Sequence, residues 1–206
     1  AVSDIYHDGS RQLQDEFDTR RLADRLDEAI VQDGIQPSDK DFIERLDMFF
    51  IATVDDRGHV NCSYKAGEPG FVRVVDEHAL AFPNYDGNGM YLTMGNILRT
   101  RQVGMLFIDF ENQKRMRLNG EATIHQDDPL MQEYSEAQFI VRVRVREVFA
   151  NCPRYIHKMK LVQRSRFVPK KQCATPVPGW KKGEWVADTL PSNDPARDKS
   201  REIIDR

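Results

Sequence analysis

The sequence has few cysteines, few aromatic residues and no long apolar run. Its three cysteines, Cys62, Cys152 and Cys173, are widely spaced and odd in number, which excludes a disulfide framework and a cysteine-based zinc site. No uncharged apolar run approaches the ~20 residues that a membrane-spanning helix needs, and residues 1–17 contain no apolar segment typical of a secretion signal. We therefore expect a cytoplasmic protein in which Cys62 and Cys152 are buried, inert thiols.

The sequence also lacks an excess of charge and the common catalytic motifs. Its 30 basic and 33 acidic residues give a formal charge of −3, so the basic face of a nucleic-acid-binding protein is not expected. There is no G-x-x-x-x-G-K-[ST] phosphate loop and no G-x-S-x-G elbow, and no two of the five histidines are spaced as metal ligands on one helix face. These absences disfavour a hydrolase or a metal enzyme, and we expect no metal, nucleic-acid or membrane partner.

The chain divides into three regions by pattern. Residues 1–46 have apolar residues at helical spacing and are predicted to form a helical arm, either one bent helix or two short ones, followed by a short helix near residues 39–46. This arm is either solvated or packed against a partner subunit. Residues 47–163 are rich in strand patterns, and residues 164–206, here called the tail, are rich in proline and predicted to be extended, part docked and part mobile.

The central region is predicted to be an antiparallel sheet. Period-two patterns and turn residues predict strands over residues 48–55, 59–66, 71–76, 78–83, 102–110, 114–125 and 139–149. A short helix is predicted near residues 90–98, a bulge at Asn119-Gly120, and a short acidic helix over residues 127–136. Six or seven strands without a βαβ rhythm indicate a mainly β (α+β) fold, a closed or split antiparallel barrel with one inserted helix.

Five segments follow one another in a fixed order between residues 49 and 149. They are a hairpin that ends in AFPNY, the loop Asp86-Gly87-Asn88-Gly89, a helix that ends in GNIL, the strand VGMLFIDF and the strand RLNGEA. This order resembles the pyridoxamine 5′-phosphate oxidase-like family of FMN-binding split barrels. The resemblance implies a homodimer that holds FMN at its subunit interface and acts as an FMN-dependent oxidoreductase on a small molecule.

The chemistry of a phosphate group selects the first candidate residues. The FMN phosphate carries nearly two negative charges and needs a cation together with hydroxyl or amide donors. Ser63 and Lys65 are two apart in a predicted strand, so their side chains share one face and place a hydroxyl beside an ammonium group. The alternative is an ordinary exposed lysine beside a serine that is already hydrogen-bonded.

The resemblance implies further cofactor contacts. The backbone at Phe71 and Val72 would line the flavin ring, Asn84 and Tyr85 would contact the flavin, and the Asn88-Gly89-Met90 loop would lie near the phosphate at the start of a helix. Arg115 matches a polar position that reaches the flavin in relatives, and Arg117 shares its strand face as a reserve. Because the flavin carries out the electron transfer, we name no catalytic side chain.

One departure from the family pattern limits what the resemblance implies. Pyridoxamine phosphate oxidases carry a substrate-phosphate constellation after the barrel and a C-terminal Arg/His pattern, and neither is found in residues 126–136 or in the tail. The fold and FMN are therefore expected, and the vitamin substrate is not. The alternatives are a non-catalytic flavin-nucleotide or haem-binding module and a deazaflavin-dependent reductase, which would need a wider basic groove.

Overall fold

The computed structural model of the chain describes residues 4–205. Its helices are α1 (Asp8–Glu16), α2 (Arg20–Ile30), α3 (Pro37–Arg45), α4 (Leu92–Thr100) and α5 (Glu184–Ala187), with 3-10 turns at Pro129–Glu133, Gly179–Lys182 and Pro195–Arg197. Its strands are β1 (Met48–Val54), β2 (Val60–Ala66), β3 (Arg73–Asp76), β4 (Ala79–Asn84), β5 (Gln102–Asp109), β6 (Lys114–His125), β7 (Phe139–Asn151), β8 (Val177–Pro178) and β9 (Ile203–Ile204).

The N-terminal arm forms two short helices, one of the two predicted arrangements. The backbone of Asp18 is left-handed, with φ 53°, and this conformation separates α1 from α2. The third helix begins at Pro37 rather than residue 39, because the carboxylate of Asp39 accepts a hydrogen bond from the Gln36 backbone at 3.0 Å and closes the first turn. Its Phe42 and Ile43 are buried in the main core, so this helix packs against the sheet.

The main sheet confirms the predicted fold class. Seven antiparallel strands are ordered β2-β1-β5-β6-β7-β4-β3. In a flat sheet of this order β1 and β4 would be about 19 Å apart, since each strand spacing is ~4.8 Å. The ring of Phe49 on β1 nevertheless lies 5.0 Å from that of Phe82 on β4, so the sheet curls around its core. Within residues 4–205 no pairing joins the edge strands β2 and β3, so the barrel is split rather than closed.

The inserted helix α4 is fixed beside β1 and β2. Its Met94 and Ile97 are buried in the core, and Asn96 donates a hydrogen bond to the Thr53 hydroxyl on β1 at 3.0 Å. Thr100 donates to the Val54 carbonyl at 2.7 Å. These two hydrogen bonds hold the middle and the end of α4 against β1.

The β6–β7 ladder contains the predicted bulge, and the arginines of β7 are paired. The register shifts between Asn119 and Gly120, and Val141, Val143 and Val145 face the core. The alternating arginines each reach a carboxylate, in the pairs Arg142–Asp128, Arg144–Glu121 and Arg146–Glu147. The arginine ladder of β7 is thus neutralised by acidic partners and offers no free anion site.

The cysteine prediction was wrong. All three cysteines are exposed: Cys62 lies on the face of β2 that points away from the core, and Cys152 follows the end of β7.

In the part of the chain that the structure describes, no group of His, Cys, Asp and Glu side chains is arranged to hold a metal ion. The helices found between residues 4 and 205 are too short or too polar for any of them to cross a bilayer.

Candidate functional site

Two hydroxyl groups meet where β2 passes the start of α4. The oxygen Oγ of Ser63 lies 2.7 Å from Oγ1 of Thr93, and Ser63 also donates to the amide oxygen of Asn61 at 3.2 Å. Thr93 is buried and is the second residue of α4, so its hydroxyl belongs to the first helical turn. The contact brings the predicted Ser63 to a helix N-terminus, where anions are favoured.

Lys65 lies on the same face of β2, about 7 Å along the strand from Ser63, as expected for residues two apart. It is half-buried opposite the core residue Phe49, and within residues 4–205 its ammonium group has neither an ion-pair partner nor a hydrogen-bond acceptor. Burial lowers the pKa of Lys65 below its usual 10.5. A desolvated cation without a partner is costly in the free protein and is relieved by an anion.

The first turn of α4 supplies further donors. Tyr91 has a left-handed backbone and ends the loop, and Gly95 donates its N–H to the Tyr91 carbonyl at 2.7 Å. In the described chain the backbone N–H groups of Leu92, Thr93 and Met94 have no acceptor. Free N–H groups at a helix start carry a partial positive charge and bind phosphate. Together with Ser63, Lys65 and the Thr93 hydroxyl they form what we call the β2–α4 site.

The loop before α4 is anchored at Asn84 and exposed beyond it. The amide of Asn84 donates to the side chain of Gln138 at 2.9 Å, and the Gln138 backbone N–H donates to the Asn84 carbonyl at 2.8 Å. Tyr91 donates its hydroxyl to the same Gln138 oxygen at 3.0 Å. Asn88 and Met90 are exposed, and the Asn88 amide oxygen accepts from the Met90 N–H at 3.0 Å. The predicted loop residues are therefore contiguous with the β2–α4 site.

Tyr85 is half-buried beside this loop. Burial, together with the neighbouring Tyr134 and Glu68, raises the pKa of Tyr85 to about 12. The phenol is therefore neutral in ordinary buffers and retains its O–H as a hydrogen-bond donor.

Phe71 and Val72 lie in the core rather than on a strand. Strand β3 begins at Arg73, two residues later than predicted, and both side chains are almost fully buried. The Phe71 ring stacks on Phe49 at 5.7 Å, and its backbone N–H already donates to the Glu68 carbonyl at 2.9 Å. The predicted strand start at residue 71 was wrong because these two apolar residues fill the core instead of continuing the β3–β4 ladder.

Arg115 and Arg117 lie on the opposite, outer face of the sheet. The β6 residues Met116 and Leu118 point to the core, so the two arginines between and before them point away from it. Neither guanidinium forms an ion pair or hydrogen bond among the described residues, and the Nε atom of Arg115 is buried without a partner. Arg117 lines an open groove of about 630 Å³ between the outer face and the N-terminal arm.

The structure thus brings together some predicted site residues within one chain and not others. Ser63 contacts the first turn of α4, Lys65 shares the strand face of Ser63, and the loop from Asn84 to Met90 leads into that turn. Arg115 is separated from Lys65 by β1 and β5, a distance of about 14 Å for three strand spacings, and it lies on the other face. A ligand at the β2–α4 site of one chain does not reach Arg115 of that chain through the sheet.

A family comparison decides which group of proteins this chain belongs to. The model of the family described as pyridoxamine 5′-phosphate oxidase matches residues 35–163, which is more than half of the chain. The chain belongs to this family. The matched residues 35–163 include every site residue predicted for this family member. No curated protein sequence matches the chain.

Solved structures with a similar fold include three from bacteria. HupZ of Group A Streptococcus has 20% identity and a TM-score of 0.47, with 56% of this chain and 93% of that chain covered. An FMN-binding protein of Syntrophomonas wolfei has 11% identity and a TM-score of 0.42, with coverages of 69% and 96%. HutZ, the heme storage protein of Vibrio cholerae, has 18% identity and a TM-score of 0.40, with coverages of 56% and 93%. At TM-scores below 0.5 none of them supports an inference about this family member's ligand.

Sequence reasoning missed Thr93 and Gln138. Thr93 is a hydroxyl residue in the first turn after a glycine-rich loop, a placement that by itself indicates an anion-binding helix start, so a signal was present. Gln138 precedes β7 and holds both Asn84 and Tyr91, but it comes 54 residues after Asn84 along the chain. Only the pairing of β4 with β7 brings Gln138 to the loop, and no local pattern announces it.

Proposed function

We propose that this chain is a flavoprotein that binds FMN at the β2–α4 site and acts as an FMN-dependent oxidoreductase on a small molecule. The observation that carries the proposal is the half-buried ammonium group of Lys65, which has no partner in the described chain and lies beside the Ser63–Thr93 hydroxyl pair. An isolated desolvated cation needs a functional reason, and a phosphate ligand provides one.

The residues present fit a phosphate with an attached planar ring. Lys65 supplies the positive charge, Ser63 and Thr93 supply hydroxyls, and the free N–H groups at the start of α4 supply directed donors. Tyr85 adds a neutral phenol donor, since its pKa is raised to about 12. A bound flavin supplies electron transfer with the substrate, so the protein's part is to bind, orient and shield it.

We further propose that the FMN site is completed by a second copy of the chain. The outer face of the sheet carries a row of paired residues across five strands, Tyr64, Phe50, Leu106, Arg117 and Phe149. This row combines apolar side chains with an arginine that has no partner among residues 4–205, and Arg115 lies two residues along β6 on the same face. An interface formed by this face would bring the arginines of one subunit toward the anionic cofactor of the other.

The first experiment is a visible absorption spectrum of freshly purified protein, with the released ligand identified by mass. We expect a yellow protein that releases FMN and is reduced by a nicotinamide donor. A Soret band would replace the flavin proposal with haem binding, and a deazaflavin mass would assign the longer cofactor. A colourless protein that does not take up added FMN would overturn the proposal. Bound FMN without any turnover would leave a non-catalytic flavin-binding module.

A mixing experiment tests whether the site spans two subunits. Lys65→Met and Arg115→Gln chains are each expected to bind FMN much more weakly, and they are mixed under conditions that exchange subunits, at an FMN concentration that saturates only wild-type sites. If Lys65 and Arg115 of different subunits share one site, each mixed dimer regains one intact site, so about one quarter of all sites in a 1:1 mixture bind FMN again. No recovery despite proven exchange would show that the two residues do not meet across an interface.

A further inference from the structure

The tail places a buried lysine on the loop that leads into α4. Lys181 is 3% exposed and donates to the carboxylate of Asp86 at 2.6 Å and to that of Asp194 at 2.9 Å. Burial by itself would lower the pKa of Lys181, but the hydrogen bonds to both carboxylates raise it overall, so the group is charged. Asp194 comes from the tail itself and also caps the following turn by accepting from the Ala196 N–H at 2.8 Å.

The ion pair between Lys181 and Asp86 links the loop of residues 86–90 to the tail. Among residues 4–205 it is the one side-chain hydrogen bond that connects residues 86–90 to a distant part of the chain, because the Asn88 side chain bonds only within the loop. Asp86 is also a negative charge in a loop next to a site built for an anion. That carboxylate would repel a phosphate, and Lys181 offsets part of its charge, since the single positive charge of Lys181 is shared between Asp86 and Asp194.

A second contact of the tail lies close in sequence to Gln138, which anchors the same loop. Arg201 forms an ion pair with Glu136 at 2.6 Å, and the Thr175 backbone N–H donates to Glu136 at 3.3 Å. Glu136 precedes Gln138 by two residues, and Gln138 holds the side chain of Asn84. The tail is therefore fixed both at Asp86 and beside the Asn84–Gln138 pair, which spans the root of the loop.

We propose that Lys181 is a positioning residue for the cofactor site. It holds Asp86, and with it residues 85–91, in the arrangement that presents the start of α4 to the phosphate, and it partly offsets the charge of the carboxylate in that loop. The inference rests on the proposed FMN site but assigns a role to the tail, which lies outside the range matched by the family model.

The decisive variant is Asp86→Ala, which removes the ion pair between the loop and Lys181 while leaving Lys181 paired with Asp194. Removing a negative charge near an anion site would by itself strengthen FMN binding, whereas loss of positioning weakens it. We expect FMN affinity to fall about 10-fold, consistent with the loss of one charge-assisted hydrogen bond that orders the loop. Hydrogen exchange of residues 85–91 in the FMN-free protein is expected to become faster in the same variant.

Lys181→Met removes the same ion pair from the tail side and is expected to weaken FMN binding at least as much, since it also removes the positive charge beside Asp86. Lys199→Met is the matched control, because Lys199 is an exposed tail lysine with no partner in the described chain. Unchanged or tighter FMN binding by Asp86→Ala, with unchanged exchange in residues 85–91, would overturn the inference while the FMN proposal stands. Failure of the wild-type protein to bind flavin would instead overturn both.

Discussion

Replacing Lys65 by methionine is expected to reduce FMN affinity about 100-fold without unfolding the protein. Lys65 is the one cation of the β2–α4 site, and a hydrogen bond between charged groups contributes about 1.5–3 kcal/mol, which corresponds to ~10-fold to ~150-fold in affinity. Burial lowers the pKa of Lys65, so the free protein pays a desolvation cost that methionine removes. The FMN-free variant should therefore melt at or above the wild-type temperature.

The matched control is Lys114→Met, which removes the same charge from an exposed strand lysine and should leave FMN affinity within about twofold. The pH dependence follows from the sign of the pKa shift. Phosphate binding needs the protonated ammonium, so affinity should fall as the pH rises through the lowered pKa of Lys65, beginning below the usual 10.5. Equal affinity of Lys65→Met and wild type, measured by quenching of flavin fluorescence, would show that the phosphate lies elsewhere.

Replacing Gly120 by alanine is expected to destabilise the fold by about 3 kcal/mol or more, because it overpacks the core at a point that cannot relax. A Cβ atom at this position would lie well under 3.0 Å from the Arg144 carbonyl oxygen and 3.1 Å from its carbonyl carbon. Both are backbone atoms of β7 in the middle of the β6–β7 ladder, so neither moves without breaking hydrogen bonds. The free energy of unfolding in urea measures the effect.

Gly95→Ala is the control, and its expected change in the free energy of unfolding has the opposite sign. Gly95 is inside α4, and a Cβ atom there would meet nothing within 4 Å. Alanine is favoured over glycine in a helix interior by about 0.5–1 kcal/mol, so this variant should be slightly more stable than wild type. If Gly120→Ala unfolds at the same urea concentration as wild type, the close approach of β6 and β7 at the bulge is not a constraint.

Much of the sheet could be predicted because each strand carries its own period-two pattern. The bounds of β6 agree with the prediction, and the bulge at Asn119-Gly120 is where the glycine indicated it. The start of β3 could not be predicted, since Phe71 and Val72 continue the alternating apolar pattern but are drawn into the core beside Phe49. The exposure of Cys62 was also missed, because Cys62 shares the more apolar face of β2 with Val60 and Tyr64, and the structure turns that face outward.

For the candidate site, the sequence indicated the residues but not their grouping. Ser63 and Lys65 share a face because strand geometry requires it, whatever the fold around them. Whether Lys65 has a partner is a tertiary property, and so is the contact of Ser63 with Thr93, which lies 30 residues further along the chain. The separation of Arg115 from Lys65 likewise follows from the strand order, which brings β1 and β5 between them.

The sequence by itself determined the class of fold, the family resemblance and the residues that carry charge and hydroxyls near the glycine-rich loop, because these depend on local periodicity and composition. Only the tertiary structure decided that the predicted barrel is split rather than closed, that Thr93 and Gln138 belong to the site, and that Lys181 of the tail pairs with Asp86, 95 residues away along the chain. Such contacts depend on long-range packing, in which the burial of many side chains fixes where two distant segments meet, and no local pattern encodes that outcome.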